Sequence, residues 1–425
     1  MSMNYVFGFA LFLLLLVALN IYFFYTLMPI GKKSLSFNVP SIKLDQSPSV
    51  FKDIYDYLNY LPNQYRNRNS KFFPLQKYLL TSFSPSDNIE NYWPTQKEVG
   101  TGSSLYPHKN GVAGQMLSAM KAGQIVIVDN AVKGTQLKLL LLLETHQKLY
   151  FKPKRYERDH IIHGSIVAGF DRHNAEVFAY YLAMTLNFTW IPPSVIRKLH
   201  VDREIFSIAT MGLRKTMIKN GNGEYCIYGK CFYCKINETV CPDNNGEIEG
   251  AAILYLDRPF QFQVYKSPWR RNYRDSKLME WQRENDFCKK VMGTLSTKRI
   301  LDLVDISIFD FLIQNGDRHR YEMYKDRILL LDNGKGLGNP SVDELDILAP
   351  LYQCCILRLT TWKYLELLSG GSLTETIKLM SSFQDENLAT EDHFKAVERR
   401  LLKVYATVQY CIGRYGSAKV FKSHW

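Results

Sequence analysis

Residues 5–30 form a continuous apolar stretch without a charged side chain (YVFGFALFLLLLVALNIYFFYTLMPI), and the 425-residue chain contains no second stretch of this kind. About 20 such residues are enough for a helix to cross a bilayer. A cleaved signal peptide usually has a shorter apolar core, a basic start and a small-residue cleavage site, none of which is clear here. We therefore predict that residues 1–30 are an uncleaved transmembrane signal anchor, so that the body folds on one side of a membrane.

Cysteines are the next constraint on the fold. They form an even set, and four of them lie within 16 residues: Cys226, Cys231, Cys234, Cys241, Cys288, Cys354, Cys355 and Cys411. In a secretory lumen such a set indicates disulfides. The alternative is a zinc site built on Cys231 and Cys234, but the second cysteine pair does not repeat their two-residue gap.

Weaker signals bear on which side of the membrane carries the body. Lys32 and Lys33 follow the apolar stretch and no side-chain charge precedes it, so the positive-inside rule slightly opposes a luminal body. The cysteines and two glycosylation sequons, at Asn187 and Asn237, favour a lumen. Together these features predict a single-pass type II membrane glycoprotein with a luminal body.

Composition places that body among globular proteins, because 46% of the residues are hydrophobic and 22% are charged. The 53 Lys and Arg residues exceed the 41 Asp and Glu residues, which gives a net charge of +12. This excess favours acidic or phosphorylated ligands as a bias. Because the charge is diffuse, it does not identify a nucleic acid, and we predict no nucleic-acid partner.

The pattern of the body predicts a sheet followed by helices. Residues 31–49 mix Lys, Ser and Pro without apolar periodicity, which is typical of a stem. Short strands of an antiparallel meander, separated by turn residues, are predicted at residues 124–132, 135–143 and 148–152. Further elements are predicted as a helix from Asp171 to Pro192, a strand at 252–256, a helix at 299–315 and a strand at 328–331.

Charged residues stand at the ends of these elements in an order that phosphoryl transfer from ATP uses. The reaction requires a cation on the phosphates, carboxylates that hold a divalent metal, and a carboxylate that accepts the proton of the attacking hydroxyl. Lys152, the pair Asp171 and Asp332, and the loop residue Asp317 are candidates for these three tasks. The chain has no intact Gly-rich loop, V-A-I-K or H-R-D sequence, so the order alone supports a kinase-like hypothesis and no more.

Each candidate also has a purely structural interpretation. Asp171 suits a helix N-cap, and Asp317 and Asp332 stand beside glycine or Asn-Gly in predicted turns. Lys152 precedes a proline, which is typical of a solvated loop lysine, and Glu176 suits an exposed helix charge or an ion-pair partner on its own helix. Their joint occurrence within longer motifs favours the functional interpretation.

Those motifs resemble the atypical secretory-pathway kinases, the family that includes four-jointed and the Golgi casein kinase. They are Phe-Lys152-Pro, Asp171-Arg-His-Asn-Ala-Glu176, Gly316-Asp-Arg-His, Leu331-Asp-Asn-Gly and Pro350-Leu-Tyr-Gln-Cys-Cys355. The similarity covers residues 134–413, about two thirds of the chain. Within the family the chain is most similar to the members that phosphorylate xylose, through Arg155-Tyr-x-Arg-Asp-His160 and Tyr228-Gly-Lys-Cys-x-Tyr-Cys234.

The resemblance implies an α+β, atypical two-lobed protein-kinase-like fold that disulfides stabilise. Its antiparallel-sheet N-lobe would span residues 50–256, with the hinge at its end, and its mainly helical C-lobe residues 257–425. The implied activity is ATP-dependent phosphorylation of the 2-OH of xylose in the Gal-Xyl linkage region of proteoglycans. Mn²⁺ is the implied metal, with Mg²⁺ as the alternative, and the Golgi membrane is the implied location.

The resemblance also implies roles for individual residues. Asp317 would be the catalytic base, and Asp171 and Asp332 the metal ligands. The implied nucleotide contacts are Gln136, Lys152, the hinge residues Ile253, Leu254, Tyr255 and Leu256, and Glu322 and Asp332. The chain departs from the family at Arg320, where a second His is usual, and at Leu337, where Phe is frequent. Neither position needs to perform chemistry.

The family pattern of disulfides would join Cys226 to Cys241 and Cys231 to Cys234. Cys288 and Cys411 would each pair with one of Cys354 and Cys355, in an order that stays open. Two alternatives to a xylose kinase remain at this point. One is a serine kinase of secreted proteins with the same ATP side, and the other is an inert family member that activates an active relative.

Overall fold

The computed structural model describes residues 49–85, 93, 99–100, 103–131, 134–256, 261–273, 278–384 and 386–423. The predicted anchor and all but the last residue of the predicted stem lie outside these residues. Among the helices that are described, none is long and apolar enough to cross a membrane.

The described chain contains thirteen α-helices and twelve strands. The helices are α1 (Ser49–Asn59), α2 (Phe73–Phe83), α3 (Val112–Ala122), α4 (His173–Thr185), α5 (Met211–Arg214), α6 (Glu280–Arg283), α7 (Phe287–Met292), α8 (Thr297–Ile313), α9 (Ala349–Cys354), α10 (Leu359–Leu367), α11 (Ser372–Ser382), α12 (Glu391–Tyr415) and α13 (Ser417–Val420). The strands are β1 (Ile125–Asn130), β2 (Leu139–Leu143), β3 (Lys148–Pro153), β4 (Ser194–His200), β5 (Met217–Lys219), β6 (Tyr225–Ile227), β7 (Glu247–Leu254), β8 (Gln263–Lys266), β9 (Arg320–Tyr324), β10 (Arg327–Leu329), β11 (Leu357–Arg358) and β12 (Phe421–Lys422).

The largest sheet has five strands in the order β1-β2-β3-β7-β4, and every neighbouring pair is antiparallel. β1, β2 and β3 follow one another directly, so the predicted meander is confirmed. In β2 the side chains of Leu139, Leu141 and Leu143 are buried, whereas the two between them are half-buried. This period of two is what a strand requires when one face packs against the core.

β4 is a strand that the sequence pattern does not predict, because it contains Arg197, Lys198 and His200. Arg197 is nevertheless buried, since its guanidinium donates hydrogen bonds to the carbonyls of Met120 (2.9 Å) and Gly123 (2.7 Å) at the end of α3. A helix C-terminus offers unpaired carbonyls to such a cation. β7 pairs with β4 as far back as Glu247, so it begins five residues before the predicted start at residue 252. It ends at Leu254, two residues before the predicted end at residue 256.

α4 packs on this sheet and has no exposed face. Each of its residues from His173 to Thr185 is buried, and the helix contacts β4, β7 and α11. The sequence pattern predicted one apolar stripe, but a helix covered on all sides lies inside the core of the protein. The helix begins two residues after Asp171 and ends well before Pro192, which corrects both predicted ends.

α8 also ends earlier than predicted. Its last residue is Ile313, and Gln314 takes a left-handed backbone with φ of 60°. The helix is closed by a hydrogen bond from the Asn315 amide to the carbonyl of Asp310, so Gly316 is not the terminating residue. Gly316 is required for space instead, because a Cβ at this position would lie 2.5 Å from the side chain of Ile166.

The N-terminal helix α1 packs against the C-terminal helices rather than the sheet. Phe51 makes an edge contact with Tyr352, and Tyr57 with Tyr410, at ring distances of 5.7 and 6.3 Å. The sheet and α4 therefore do not account for every residue between 50 and 256. The division into lobes at residues 256 and 257 stays a prediction.

The eight cysteines form four disulfides, Cys226–Cys241, Cys231–Cys234, Cys288–Cys354 and Cys355–Cys411. The two implied pairings in the N-terminal cluster are confirmed, and the zinc alternative is wrong because its sulfurs are bonded to each other. The order that the sequence left open is decided by the helices. Cys288 on α7 faces the first of the two adjacent cysteines of the α9 segment, and Cys411 on α12 faces the second.

Glu386 is a buried carboxyl that should make stability depend on pH. Its Oε1 accepts a 2.7 Å hydrogen bond from the amide of Ile196, and burial raises its pKa to about 8. Between the unfolded pKa near 4.5 and the folded pKa near 8, the folded protein holds a proton that the unfolded chain releases. The free energy of unfolding should therefore fall as pH rises through this window.

Replacement of Glu386 by glutamine removes this titration and keeps an oxygen acceptor for Ile196. We expect the unfolding free energy of Glu386→Gln to gain about 2 kcal/mol relative to wild type between pH 6 and pH 8. Urea unfolding at both pH values measures this difference. Glu391→Gln, which alters an exposed carboxylate paired with Lys378, is the control and should follow the wild type. Parallel curves for wild type and Glu386→Gln would contradict the prediction.

Candidate active site

Lys152 lies at the centre of a cluster of three carboxylates. It belongs to β3, and its Nζ lies 2.6 Å from Glu176 Oε1, 2.7 Å from Asp332 Oδ1 and 3.2 Å from Asp171 Oδ2. Lys152 itself is 8% exposed, so little of its side chain contacts bulk water. Pro153 therefore does not place Lys152 in a solvated loop, and the structural interpretation of this lysine is wrong.

Asp171 is held in place by Gln136. The amide of Gln136 donates a 2.7 Å hydrogen bond to Asp171 Oδ1 and accepts a 2.8 Å bond from the Asp171 backbone N–H. These reciprocal bonds bring together two predicted site residues that are 35 positions apart. Gly334 packs closely against the same side chain, because a Cβ at position 334 would lie 2.6 Å from Asp171 Cβ. Glycine at position 334 is therefore a steric requirement of the site.

Glu176 is a site residue that the sequence interpretation missed. It lies in the first turn of α4, is 4% exposed, and contacts Lys152 through Oε1, while Oε2 accepts a 3.0 Å hydrogen bond from the Asn333 backbone N–H. It links β3 to the Asp332 turn and is not an exposed helix charge. Its place at the end of the Asp171 motif was the available signal, but helix periodicity alone could not show that α4 is buried on every side.

Electrostatics favour the charged forms of Lys152 and Asp332. Burial opposes the positive charge of Lys152, but Asp332, Glu176 and Asp171 outweigh it and raise the pKa of the lysine. Lys152 in turn lowers the pKa of Asp332. The Asp332 side chain is 76% exposed and its backbone φ is 56°, a left-handed value that is uncommon for aspartate. Such a conformation at an exposed carboxylate is typical of a functional position.

The three carboxylates meet the requirements of a divalent-cation site. One oxygen each from Asp171, Glu176 and Asp332 can be chosen so that all three lie within 4.8 Å of one another. An oxygen-only donor set suits Mg²⁺ or Mn²⁺. The predicted pair of ligands is thus brought together, and Glu176 joins it as a third.

Two further lysines near the cluster were not predicted. The pKa of Lys138 is lowered by burial and by the charge of Lys152. Lys335 lies 3.8 Å from Asp171 Oδ1, and burial lowers its pKa as well. Lys138 follows Gln136 by two positions in the connection between β1 and β2. The local sequence does not mark it as a site residue, because that depends on the path of this connection.

The loop that carries Asp317 is attached to the Asp332 turn by the half-buried Arg318. Arg318 donates to both carboxylate oxygens of Asp310, at 2.8 and 3.0 Å, and to Asn333 Oδ1 at 2.7 Å. Asp310 outweighs the effect of burial and raises the pKa of Arg318. Because Arg318 holds both loops, the positions of Asp317 and Asp332 depend on each other.

Asp317 itself faces the open side of the site. Its side chain is 23% exposed, and its Oδ1 accepts a 2.6 Å hydrogen bond from the Tyr273 hydroxyl. Its backbone N–H donates to Asn315 Oδ1 at 3.2 Å. Among the described residues, the carboxylates that contact Lys152 are Asp171, Glu176 and Asp332, and Asp317 is not one of them.

The remaining predicted residues border the cluster at different distances. Glu322 lies on β9, is half-buried, and has its pKa raised by burial and by Asp332, which opposes the lowering effect of Arg318. Ile253 and Leu254 are the last residues of β7, and Tyr255 and Leu256 follow them. Lys152 pairs with Ala251 on β7, so this segment begins about 7 Å along the strand from the lysine.

A buried lysine on an antiparallel sheet, a glutamate on the helix behind it and two loop aspartates joined by an arginine define a protein-kinase-like fold. The predicted α+β fold class is thereby confirmed. These features describe a class of proteins and leave the branch within it open.

The chain belongs to the Fam20C family. Its residues 91–420 match the family model described as "Golgi casein kinase, C-terminal, Fam20", and the family inferred from the motifs is confirmed.

Among its relatives is the glycosaminoglycan xylosylkinase homolog of Drosophila melanogaster, which is 44% identical over 380 residues, covering 86% of this chain and 88% of the relative. The human glycosaminoglycan xylosylkinase is 41% identical over 338 residues, covering 77% of this chain and 82% of the relative. Human extracellular serine/threonine protein kinase FAM20C is 33% identical and covers 78% and 60%.

Solved structures show the same fold. A structure of hydra Fam20 with sugar has a TM-score of 0.73 and 36% identity, covering 77% of this chain and 97% of that chain. A crystal structure of the Golgi casein kinase with Mn/ADP bound also has a TM-score of 0.73, with 28% identity over 92% of this chain and 96% of that chain.

Proposed function

We propose that this protein transfers the γ-phosphoryl group of ATP to the 2-OH of xylose in the Gal-Xyl linkage region of proteoglycans. The observation that carries the proposal is the ring of Asp171, Glu176 and Asp332 around Lys152. The choice of a sugar acceptor is supported by relatives named glycosaminoglycan xylosylkinase at 41–44% identity over most of the chain.

On the phosphate side, Lys152 and Gln136 would contact the phosphates, while Asp171, Glu176 and Asp332 would hold Mn²⁺, or Mg²⁺ as the alternative. The bound cation would neutralise charge on the phosphate oxygens. The Mn/ADP-bound Golgi casein kinase supports this pairing of metal and nucleotide. On the adenine side, residues 253–256 and Glu322 would border the base.

On the acceptor side, Asp317 would act as general base. The xylose oxygen forms a bond to the γ-phosphorus, the bond from that phosphorus to the leaving oxygen of ADP breaks, and the hydroxyl proton passes to the Asp317 carboxylate. Arg318, the next residue, would hold the Asp317 loop beside the Asp332 turn through its hydrogen bonds to Asp310 and Asn333. The products are ADP and xylose 2-phosphate within the glycan.

We further propose that the protein is a type II protein of the Golgi membrane with residues 1–30 as its anchor. The four disulfides support an oxidising compartment, because such bonds persist in the secretory pathway and are rare in the cytosol.

The test is phosphate transfer from labelled ATP with Mn²⁺ by the detergent-solubilised chain, offered a Gal-Xyl disaccharide and an acidic serine-containing peptide side by side. We expect label on the disaccharide and little on the peptide. Label on the peptide alone would instead assign the protein to the kinases of secreted proteins. Absence of label on both acceptors would overturn the proposal and favour an inert partner of an active relative.

A further inference from the structure

Tyr273 is a residue of the open side of the site to which the proposed reaction assigns no task. Its hydroxyl lies 2.6 Å from Asp317 Oδ1 and 2.9 Å from His319 Nδ1. The tyrosine belongs to the segment between β8 and α6, far in sequence from the loop that it contacts, and it is 58% exposed. Its contact with Asp317 is therefore made by the tip of a side chain that contributes little to the core.

The direction of the hydrogen bonds follows from the charges. Burial and the bond to Asp317, together with Tyr233 and Asp332, raise the pKa of Tyr273. The phenol therefore stays protonated and donates a hydrogen bond to the carboxylate. The bond to Asp317 raises the pKa of His319, and its Nδ1 lies 2.9 Å from the phenol oxygen. Tyr273 and His319 thus both approach Asp317 Oδ1.

The contacts of Tyr273 and His319 involve only one of the two oxygens of the Asp317 carboxylate. The contacts of Tyr273 and of His319, which lies 3.4 Å away, are both made to Oδ1 of Asp317. A carboxylate has a second oxygen with the same basicity, and the acceptor hydroxyl needs one of the two within hydrogen-bond reach. Contacts at Oδ1 restrict the rotation of the carboxylate and leave Oδ2 outside both of these contacts.

We propose that Tyr273 is a positioning residue, which holds Asp317 through Oδ1 so that Oδ2 receives the proton of the acceptor hydroxyl. The inference rests on the proposed role of Asp317 as general base. It does not depend on which hydroxyl the acceptor offers, because the phenol acts on the carboxylate and not on the sugar.

Tyr273→Phe tests the proposal, because it removes the hydroxyl and keeps the ring. We expect kcat to fall about 10-fold, a part of the 10²- to 10⁴-fold effect of a general base, with the KM for ATP within 2-fold of wild type. The melting temperature should stay unchanged. Tyr410→Phe is the control, because it also removes one tyrosine hydroxyl with a 2.6 Å hydrogen bond, which is donated by Arg414 on α12. This variant should leave kcat unchanged.

A double variant separates positioning from a structural role. If Tyr273 acts through Asp317, then Tyr273→Phe should cause no further loss of single-turnover rate in an Asp317→Asn background. Multiplication of the two effects in the double variant would overturn the inference, as would a wild-type kcat for Tyr273→Phe.

The same measurements distinguish this inference from the proposed function. If the wild type labels the peptide instead of the disaccharide, the xylose assignment fails, and the effect of Tyr273→Phe on peptide transfer still decides the role of the tyrosine. If the wild type labels the disaccharide and Tyr273→Phe matches it, the positioning role fails while the function stands. If the wild type labels neither acceptor, both fail.

Discussion

Asp332→Asn is expected to reduce phosphate transfer by about 10³-fold, because a metal-ligand carboxylate supplies several kcal/mol of charge stabilisation in the transition state. Asparagine keeps the size of the side chain and tolerates the left-handed φ of 56° better than alanine does. Lys152 would still contact Asp171 and Glu176, so the fold should persist. The loss should therefore be one of function and not of structure.

Two measurements check this expectation. Transfer from labelled ATP gives the rate, and electron paramagnetic resonance of free Mn²⁺ gives the affinity for the metal without reference to turnover. Asp392→Asn is the control, because that side chain is also 76% exposed and is paired with a lysine, Lys395, on the surface of α12. Wild-type Mn²⁺ affinity and transfer in Asp332→Asn would remove Asp332 from the metal site.

Asp317→Asn is expected to lower kcat by 10²- to 10⁴-fold, the range that a general base contributes, while leaving the KM for ATP within about 2-fold. Asparagine keeps an oxygen that can accept the bond from Tyr273, so the loop should hold its conformation. The difference between the two parameters arises because the base acts on the acceptor proton.

Steady-state kinetics with varied ATP and varied acceptor separate these parameters. Asp326→Asn serves as the control. Asp326 lies in the turn between β9 and β10, is 70% exposed, and pairs with Lys298 and Arg299 of α8. A raised KM for ATP with an unchanged kcat would assign Asp317 to nucleotide binding and contradict its role as base.

The site shows how far sequence motifs reach. Lys152, Asp171 and Asp332 were predicted from family motifs, and the structure brings them within hydrogen-bond distance. Glu176 stood in one of those motifs but was assigned no role in the site. Its role depends on the burial of α4, which results from packing against the sheet and α11 and leaves no trace in a local pattern.

Tyr273 carries no such signal. It precedes Asp317 by 44 positions and follows a short exposed strand, and nothing in its neighbourhood distinguishes it from many other tyrosines in a chain that has 27. Contact between the two side chains follows from the way β8 pairs with β9, which brings the segment after β8 over the Asp317 loop.

By itself the sequence determined what depends on near neighbours. The runs of Val, Ile and Leu and the turn around Gly134 determined the meander, and the family motifs marked Lys152, Asp171 and Asp332. The tertiary structure decided the order of Cys288–Cys354 and Cys355–Cys411, the strand at Ser194–His200, and the contact of Lys152 with Asp332 across 180 positions. The physical reason is that local patterns encode backbone periodicity, whereas pairing of distant side chains depends on packing of the whole core.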